Sequence, residues 1–382
     1  MNRTRIVVIG AGVIGCSLAA EFVRRGADVT VIDAAEPASG TSAATFAWIN
    51  GNDKAPAEYS LLNFLGMQAH EREARRGGRW FHQTGMIQVA QSASELEQLE
   101  ANVARVAWDE YGARVLTREE VLTREPQLDP ARIAGGAIYP REGWIDVETM
   151  CLSLIDEAIT AGAVFRPFRT VREVGQGHVI AVAEDGSAER YDADAVVIAA
   201  GNGTRTILAD AGIDFPLLDP SENADGTGTP GSSVGIISTT GRVDSGIRHF
   251  VRATGIALRP ARNGGITFAD HPTGGQWAKT DPEIWSVPGI LLDRVQELYP
   301  SLRDATVESV KLGTRVLPKD GLTVADWVDA DRRIYAVATH SGVTLAAHLA
   351  ATVADEVLGG ARHESLETFG LGRFAVDFAP GR

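Results

Sequence analysis

Two stretches of this sequence carry residue types and spacings suited to holding a negative group. In "RIVVIGAGVIGCSLAAEFVRRGADVTVIDAA", Gly10, Gly12 and Gly15 stand at G-x-G-x-x-G spacing, after an apolar run and before a stretch with helical periodicity. In "VATHSGVTLAAHLA" (337–350), a short apolar strand runs into His340, Ser341 and Gly342 and then straight into a second helix start. A helix N-terminus presents N–H groups without intrahelical partners and the positive end of the helix dipole. Each turn is therefore suited to an anion or to developing negative charge.

Each part of the first turn has a task. Residues 5–9 are predicted to form a buried parallel strand, the following stretch a helix to about residue 25 ended by Gly26, and "DVTVID" a second strand finishing on Asp33. Gly10 permits the tight turn, Gly12 lets a pyrophosphate approach the backbone, and Gly15 lets helix and strand pack closely. Ala11, Val13 and Ile14 complete the turn and stand with the glycines as candidate binding positions. Asp33 lies 18 residues after Gly15, placed to accept hydrogen bonds from a ribose diol and to disfavour a 2′-phosphate, hence NADP. The glycine pattern alone is weak; with the strand, the helix and the acid around it, the whole points to a dinucleotide.

A nicotinamide enzyme would continue with further alternating strands and helices, whereas here comes a small-residue loop, "EPASGTSAATFAWINGN". The fingerprint followed by "GTSAATFAWIN" resembles the flavin-dependent D-amino-acid oxidase superfamily, which includes glycine oxidase, sarcosine oxidase and D-amino-acid dehydrogenases. The resemblance implies FAD, with Gly40, Thr41 and Ser42 contacting the cofactor, the backbone at Val171 flanking adenine, and Gly201 and Asn202 lying beside it. It implies that the second turn, with Ser341, Gly342, Val343 and Thr344, points at the flavin N1–C2=O edge, where a helix start stabilises the charge of the reduced ring. This chain departs from the family by placing Thr339 and Thr344 where glycines are usual and Val343 where a histidine is common. The backbone dipole is untouched by those changes. Monomeric sarcosine oxidases attach flavin to a cysteine near the position held here by Arg315, and neither Cys16 nor Cys151 is suitably placed, so the FAD is expected to be non-covalent.

By the same resemblance, Arg315 in "GTRVLPKDG" grips a substrate carboxylate with its planar fork. The family pattern has proline next, here Val316, and the alternative is a surface pair with an acid such as Asp320. His340 either faces substrate or hydrogen-bonds backbone. Trp48 and Phe46 line the pocket or belong to the core, and His249 is expected to be structural. Thr267 occupies the place of sarcosine oxidase's oxygen-activating lysine, a slight tilt towards a dehydrogenase or an oxidase of another type. The implied reaction is hydride transfer from a carbon bearing an amine nitrogen to flavin N5, giving an imine that water hydrolyses, with O2 or another electron acceptor downstream. Rivals are oxidation of a 2-hydroxy acid or a biosynthetic intermediate, and a non-catalytic flavin-binding or electron-transfer subunit.

The elements that must position these residues span the whole chain of 382 residues. A helix is predicted over 57–75, a hairpin in "WFHQTGMIQVA", capping boxes at Ser92/Glu95 (its helix running to about residue 110) and Thr117/Glu120, and a helix start at Asp146. "TVREV" and "YDADAVVIAAGNG" resemble strands returning to the first Rossmann unit. From about residue 216 a polar, Gly- and Pro-rich loop gives way to the strands "VGIIST", "RHFVRATGIALRP" and "GITFAD" and a helix over 288–298. The expected fold is α/β, with a discontinuous Rossmann-like FAD-binding domain (1–85, 145–215, 311–382) and an antiparallel-sheet α+β substrate domain (86–144, 216–310). A net charge of −14 argues against nucleic acid and anionic membranes. No stretch is long and apolar enough to span a bilayer, no ligand cluster suggests a metal, and two cysteines in apolar helical contexts suit a reducing cytoplasm. The oligomeric state is left open.

Overall fold

A computed structural model gives the structure of residues 3–106, 110–219 and 233–374. Strand Arg5–Ile9 lies inside a six-stranded sheet ordered Val324–Trp327, Ile334–Ala338, Ala195–Ile198, Arg5–Ile9, Asp28–Ile32, Val164–Arg166. All neighbours pair in parallel except Val324–Trp327. The unbroken apolar run of the first strand has its reason here. Ile6 and Val8 enter one core cluster while Val7 and Ile9 enter another, so both faces of the strand are covered. Each such aliphatic side chain contributes about 2 kcal/mol by leaving water. Helix Val13–Arg24 packs against both Val147–Thr160 and Gly342–Val357, and the latter packs on Ala57–Arg75.

The second large sheet has eight strands, ordered Val307–Thr314, Val234–Thr240, Ile266–Ala269, Ile256–Pro260, Phe250–Ala253, Met86–Ala90, Gly135–Tyr139, Arg114–Thr117. It is antiparallel except where Phe250–Ala253 runs parallel to Met86–Ala90. That parallel joint is where two distant chain segments meet. Helix Val287–Leu298 covers one face, burying Leu291, Val295 and Leu298.

Several expectations need correction. "WFHQTGMIQVA" is no hairpin: Gly85, at φ +72°, turns the chain so that Phe81–His82 joins a small sheet with Gly143–Ile145 and Trp48–Ile49, while Met86–Ala90 joins the large one. Arg169–Gly175 does not enter the six-stranded sheet but forms a three-stranded antiparallel sheet with His178–Ala183 and Ala188–Asp192; only Ala195–Ile198 returns to the first unit. "RHFVRATGIALRP" is two strands with a turn at Thr254–Gly255. The helix capped by Ser92 ends at Arg105, short of residue 110. The other capping box forms as expected, with the Thr117 hydroxyl and Glu120 carboxylate each accepting a backbone N–H. Most of the loop expected after residue 216 falls on 220–232, outside the described residues.

Candidate active site

Because the strands around Arg5–Ile9 are parallel, the carboxyl ends of four of them open on one edge of the sheet, the place where open α/β sheets bind ligands. Gly10, Asp33, Ala199 and Thr339 follow those ends, and all line a cavity of about 1330 Å³. The first turn is built by close approach. Gly10 has φ +108°, and a Cβ there would lie 2.4 Å from the Ala199 carbonyl; a Cβ on Gly15 would lie 1.9 Å from the Gly10 carbonyl. Gly15 and Ala11 thus stay behind the cavity wall, while Gly12, Val13 and Ile14 line it.

The residues present fit FAD. At the helix start the Val13 N–H donates to the Ser42 hydroxyl at 3.1 Å, and a Cβ on Gly12 would meet that same oxygen at 3.2 Å, so bare backbone faces the cavity. Asp33 accepts the Ala11 N–H at 2.6 Å and the Ala35 N–H at 2.8 Å. Burial raises its pKa, and these backbone donors work against that rise. The carboxylate therefore orders the glycine turn as well as lining the cavity. Val171, Gly40, Gly201 and Asn202 line it too. The Thr41 hydroxyl and the Asn202 amide both donate to the Thr314 carbonyl, at 2.7 and 3.2 Å, which draws three chain segments together next to Arg315.

The second turn opens on the same cavity through His340, Ser341, Gly342, Val343 and Thr344. The Ser341 hydroxyl, instead of capping its helix, accepts the Tyr59 hydroxyl at 2.9 Å. Thr344, which stands where the family has glycine, accepts the Asn50 N–H at 3.3 Å and donates to the Trp48 carbonyl at 3.2 Å. Its side chain ties the helix start to the Trp48–Ile49 strand. The Gly342 and Val343 N–H groups, in the first helical turn, have no intrahelical partner.

Arg315 reaches the cavity with its guanidinium donating to the Val234 carbonyl. Burial lowers it to about 10, so it stays charged at neutral pH. The surface pair with Asp320 is not formed, since Asp320 takes Arg373 at 2.7 and 3.2 Å. His340 is open to the cavity yet walled in by protein. Burial, then the charges of Lys54, Arg315 and His271, hold it down to about 3, so its ring is neutral. Trp48 is at once pocket wall and core: it stacks on Phe250 at 5.2 Å, lies under the Arg252 guanidinium at 5.4 Å, and donates its indole N–H to Glu142 at 2.8 Å. Phe46 meets Phe250 edge-on at 5.1 Å and also lines the cavity. His249 is held by Glu125, 2.7 Å from its Nδ1, as expected of a structural histidine. Thr267 contacts the Thr239 hydroxyl at 3.2 Å.

Two groups escaped the sequence reading. Glu142 is fully buried behind Trp48, also bonded by the Tyr111 hydroxyl, and burial pushes it up to about 8. Nothing local in "PREGWID" marks it. Lys54 lines the cavity from the loop after Trp48–Ile49. It is one of only four lysines in the sequence, which was the one available signal. Among the described residues no group of histidines, cysteines and acids is arranged for a metal ion, and no helix is long and apolar enough to cross a membrane.

Comparison with known proteins agrees with this geometry. Residues 5–356 match the model of the DAO family, described as FAD dependent oxidoreductase. An opine oxidase subunit of Agrobacterium tumefaciens (strain Ach5) is 25% identical, with 98% of each chain aligned. Among solved structures, glycine oxidase from Geobacillus kaustophilus superposes with a TM-score of 0.80 at 22% identity, covering 96% of this chain and 98% of that one. Iminodiacetate oxidase from Chelativorans sp. BNC1 gives 0.78 at 20%, covering 96% and 98%. The fold, the two helix starts facing one cavity and the family match over most of the chain lead to one conclusion: the protein is an FAD-dependent oxidoreductase of the DAO family, binding its flavin without a covalent link.

Proposed function

We propose that the protein oxidises the C–N bond of an amino acid or secondary amine. Bound FAD supplies the hydride acceptor, and the substrate leaves as an imine that water hydrolyses. The observation that carries this reading is the meeting of Arg315, neutral His340 and the second helix start in the same cavity as the dinucleotide turn. Arg315 holds the substrate carboxylate by its charged fork and fixes the orientation of the neighbouring carbon. His340, carrying no charge, accepts or donates one hydrogen bond, and the amine binds neutral, its nitrogen lone pair free to form the imine as hydride leaves. The N-terminus of Gly342–Val357 stabilises negative charge that develops near it. Phe46 and Trp48 keep water from the wall they form. The relatives' names support the class, since glycine and iminodiacetate each join an amine to a carboxylate.

The test is anaerobic bleaching of the yellow protein by D-amino acids, glycine, sarcosine and other secondary amines. Bleaching by at least one such amine is expected, with amine or ammonia released on turnover. Bleaching by 2-hydroxy acids alone, or flavin that stays oxidised with every reductant, refutes the reading.

A further inference from the structure

None of the described residues of helix Ala57–Arg75 lines the cavity, yet one face of that helix grips the cavity's second turn. Tyr59, Gly66 and His70 follow one another at seven and four residues, close to two turns and one turn, and so share that face. The Tyr59 hydroxyl donates to Ser341 Oγ at 2.9 Å, a Cβ on Gly66 would lie 2.5 Å from the Thr344 carbonyl, and His70 Nε2 lies 2.8 Å from the Val343 carbonyl. The Ser341 contact has a direction. A hydroxyl has one hydrogen to donate and two lone pairs to accept with. Ser341 accepts from Tyr59, it does not cap its own helix, and among the described residues nothing accepts its hydrogen. Ser341 is only 7% exposed and lines the cavity, so that hydrogen is left to whatever occupies the cavity. A hydroxyl that accepts one hydrogen bond donates a stronger one in turn.

We propose that Tyr59 is a positioning residue for the bound flavin: it fixes the Ser341 hydroxyl as a donor to the ring and so raises the ring's reduction potential from outside the cavity. This rests on the reading that the second turn faces the flavin, and on no choice of substrate. Uptake of two electrons and one proton leaves a negative charge on the ring, and a donor held against that charge favours the reduced form. The Tyr59 ring also packs on Phe369, with centroids 5.8 Å apart, a contact that Tyr59→Phe keeps while it removes the hydroxyl.

The experiment is reductive titration of the FAD-loaded protein against a reference dye, in the wild type, Tyr59→Phe, Ser341→Ala and the double variant, with FAD affinity read by fluorescence. Tyr59→Phe is expected to shift the reduced-to-oxidised ratio at a fixed potential about tenfold towards oxidised flavin, which is about 30 mV in midpoint for two electrons. Ser341→Ala should shift it the same way by at least as much, and the double variant no further than Ser341→Ala. Should Tyr59→Phe hold too little flavin to titrate, affinity makes the same comparison: the loss must vanish in the Ser341→Ala background, where a packing defect would persist. Additive shifts, or a Tyr59→Phe midpoint equal to that of the wild type, overturn the proposal. A shift in Ser341→Ala alone removes the part of Tyr59 and keeps the turn against the ring; no shift in any variant removes both. Because the titration uses no substrate, a panel of unreactive amines would sink the amine reading without touching this one.

Discussion

Acid should loosen the second turn through His70. This histidine lies on helix Ala57–Arg75, fully buried, with its Nε2 2.8 Å from the Val343 carbonyl in the first turn of helix Gly342–Val357. If Nε2 donates there, Nδ1 carries the lone pair, and Nδ1 has no partner. Protonation would place an N–H in a dry site without an acceptor, beside the positive end of a helix dipole. Burial accordingly lowers His70 from 6.5 to about 4. The folded pKa is depressed, so the unfolded chain binds the extra proton between those values. Stability attributable to His70 is therefore fully present above pH 6.5 and is lost as pH falls towards 4. At about 1.4 kcal/mol per pH unit, the loss is about 2 kcal/mol at pH 5 and about 3 kcal/mol at full extent. The assay is urea unfolding with saturating FAD at steps from pH 7.5 to 5, comparing wild type with His70→Gln, whose amide can still donate to the Val343 carbonyl. His82, His340 and His348 are also lowered by burial and contribute to the slope of both proteins, so the difference isolates His70. The wild type should lose about 2 kcal/mol relative to the variant over this range. Parallel curves would refute the reasoning.

Other expectations follow from the same contacts. Gly15→Ala should yield protein without retained flavin by absorbance, because its Cβ would sit 1.9 Å from the Gly10 carbonyl. Asp33→Ala should fold but bind FAD about tenfold more weakly by fluorescence titration, having released the Ala11 and Ala35 N–H groups. Arg315→Ala should weaken carboxylate-bearing substrates by about 3 kcal/mol, read as flavin-reduction kinetics, with Arg315→Lys recovering only part because it lacks the fork; unchanged kinetics would remove the clamp. For Glu142, raised by burial to about 8, the folded state holds the proton over a window in which the unfolded chain has released it, so the wild type loses stability as pH rises through that window. Glu142→Gln should match the wild type near pH 5 and gain on it by about 1 kcal/mol per unit towards pH 8, whereas Glu142→Ala should cost about 3 kcal/mol at pH 5 by stranding the Trp48 and Tyr111 donors.

The parts legible in the sequence are those whose signal is local. The G-x-G-x-x-G turn announces itself because Gly10 and Gly15 are needed within five residues of one another, and the capping box at Thr117 and Glu120 is complete within four. The Arg315 neighbourhood was readable through resemblance, since its pattern travels with the chain. Less legible were features fixed by residues far apart. Phe81–His82 and Met86–Ala90 look like a hairpin until each is seen to have its own partners, Gly143–Ile145 and Gly135–Tyr139. Glu142 gains its character from Trp48, Tyr111 and Asn52, and Lys54 from burial beside Glu142 and Arg252, partners that sequence spacing does not bring near. The use of Thr344 as a strut in place of glycine was likewise invisible, because its two partners lie in the Trp48–Asn50 segment.

The distance along the polymer between Val13 and Gly342 has a consequence for biogenesis. At ordinary rates of synthesis, a ribosome needs roughly 15 to 65 s to pass from one helix start to the other. Throughout that interval the emerging chain carries the first glycine turn but only part of the wall opposite it, and strand Met86–Ala90 waits for Phe250–Ala253 with an open edge. Prosthetic-group capture is thereby deferred until helix Gly342–Val357 has been made, and nascent chains halted before it hold only one of the two helix starts.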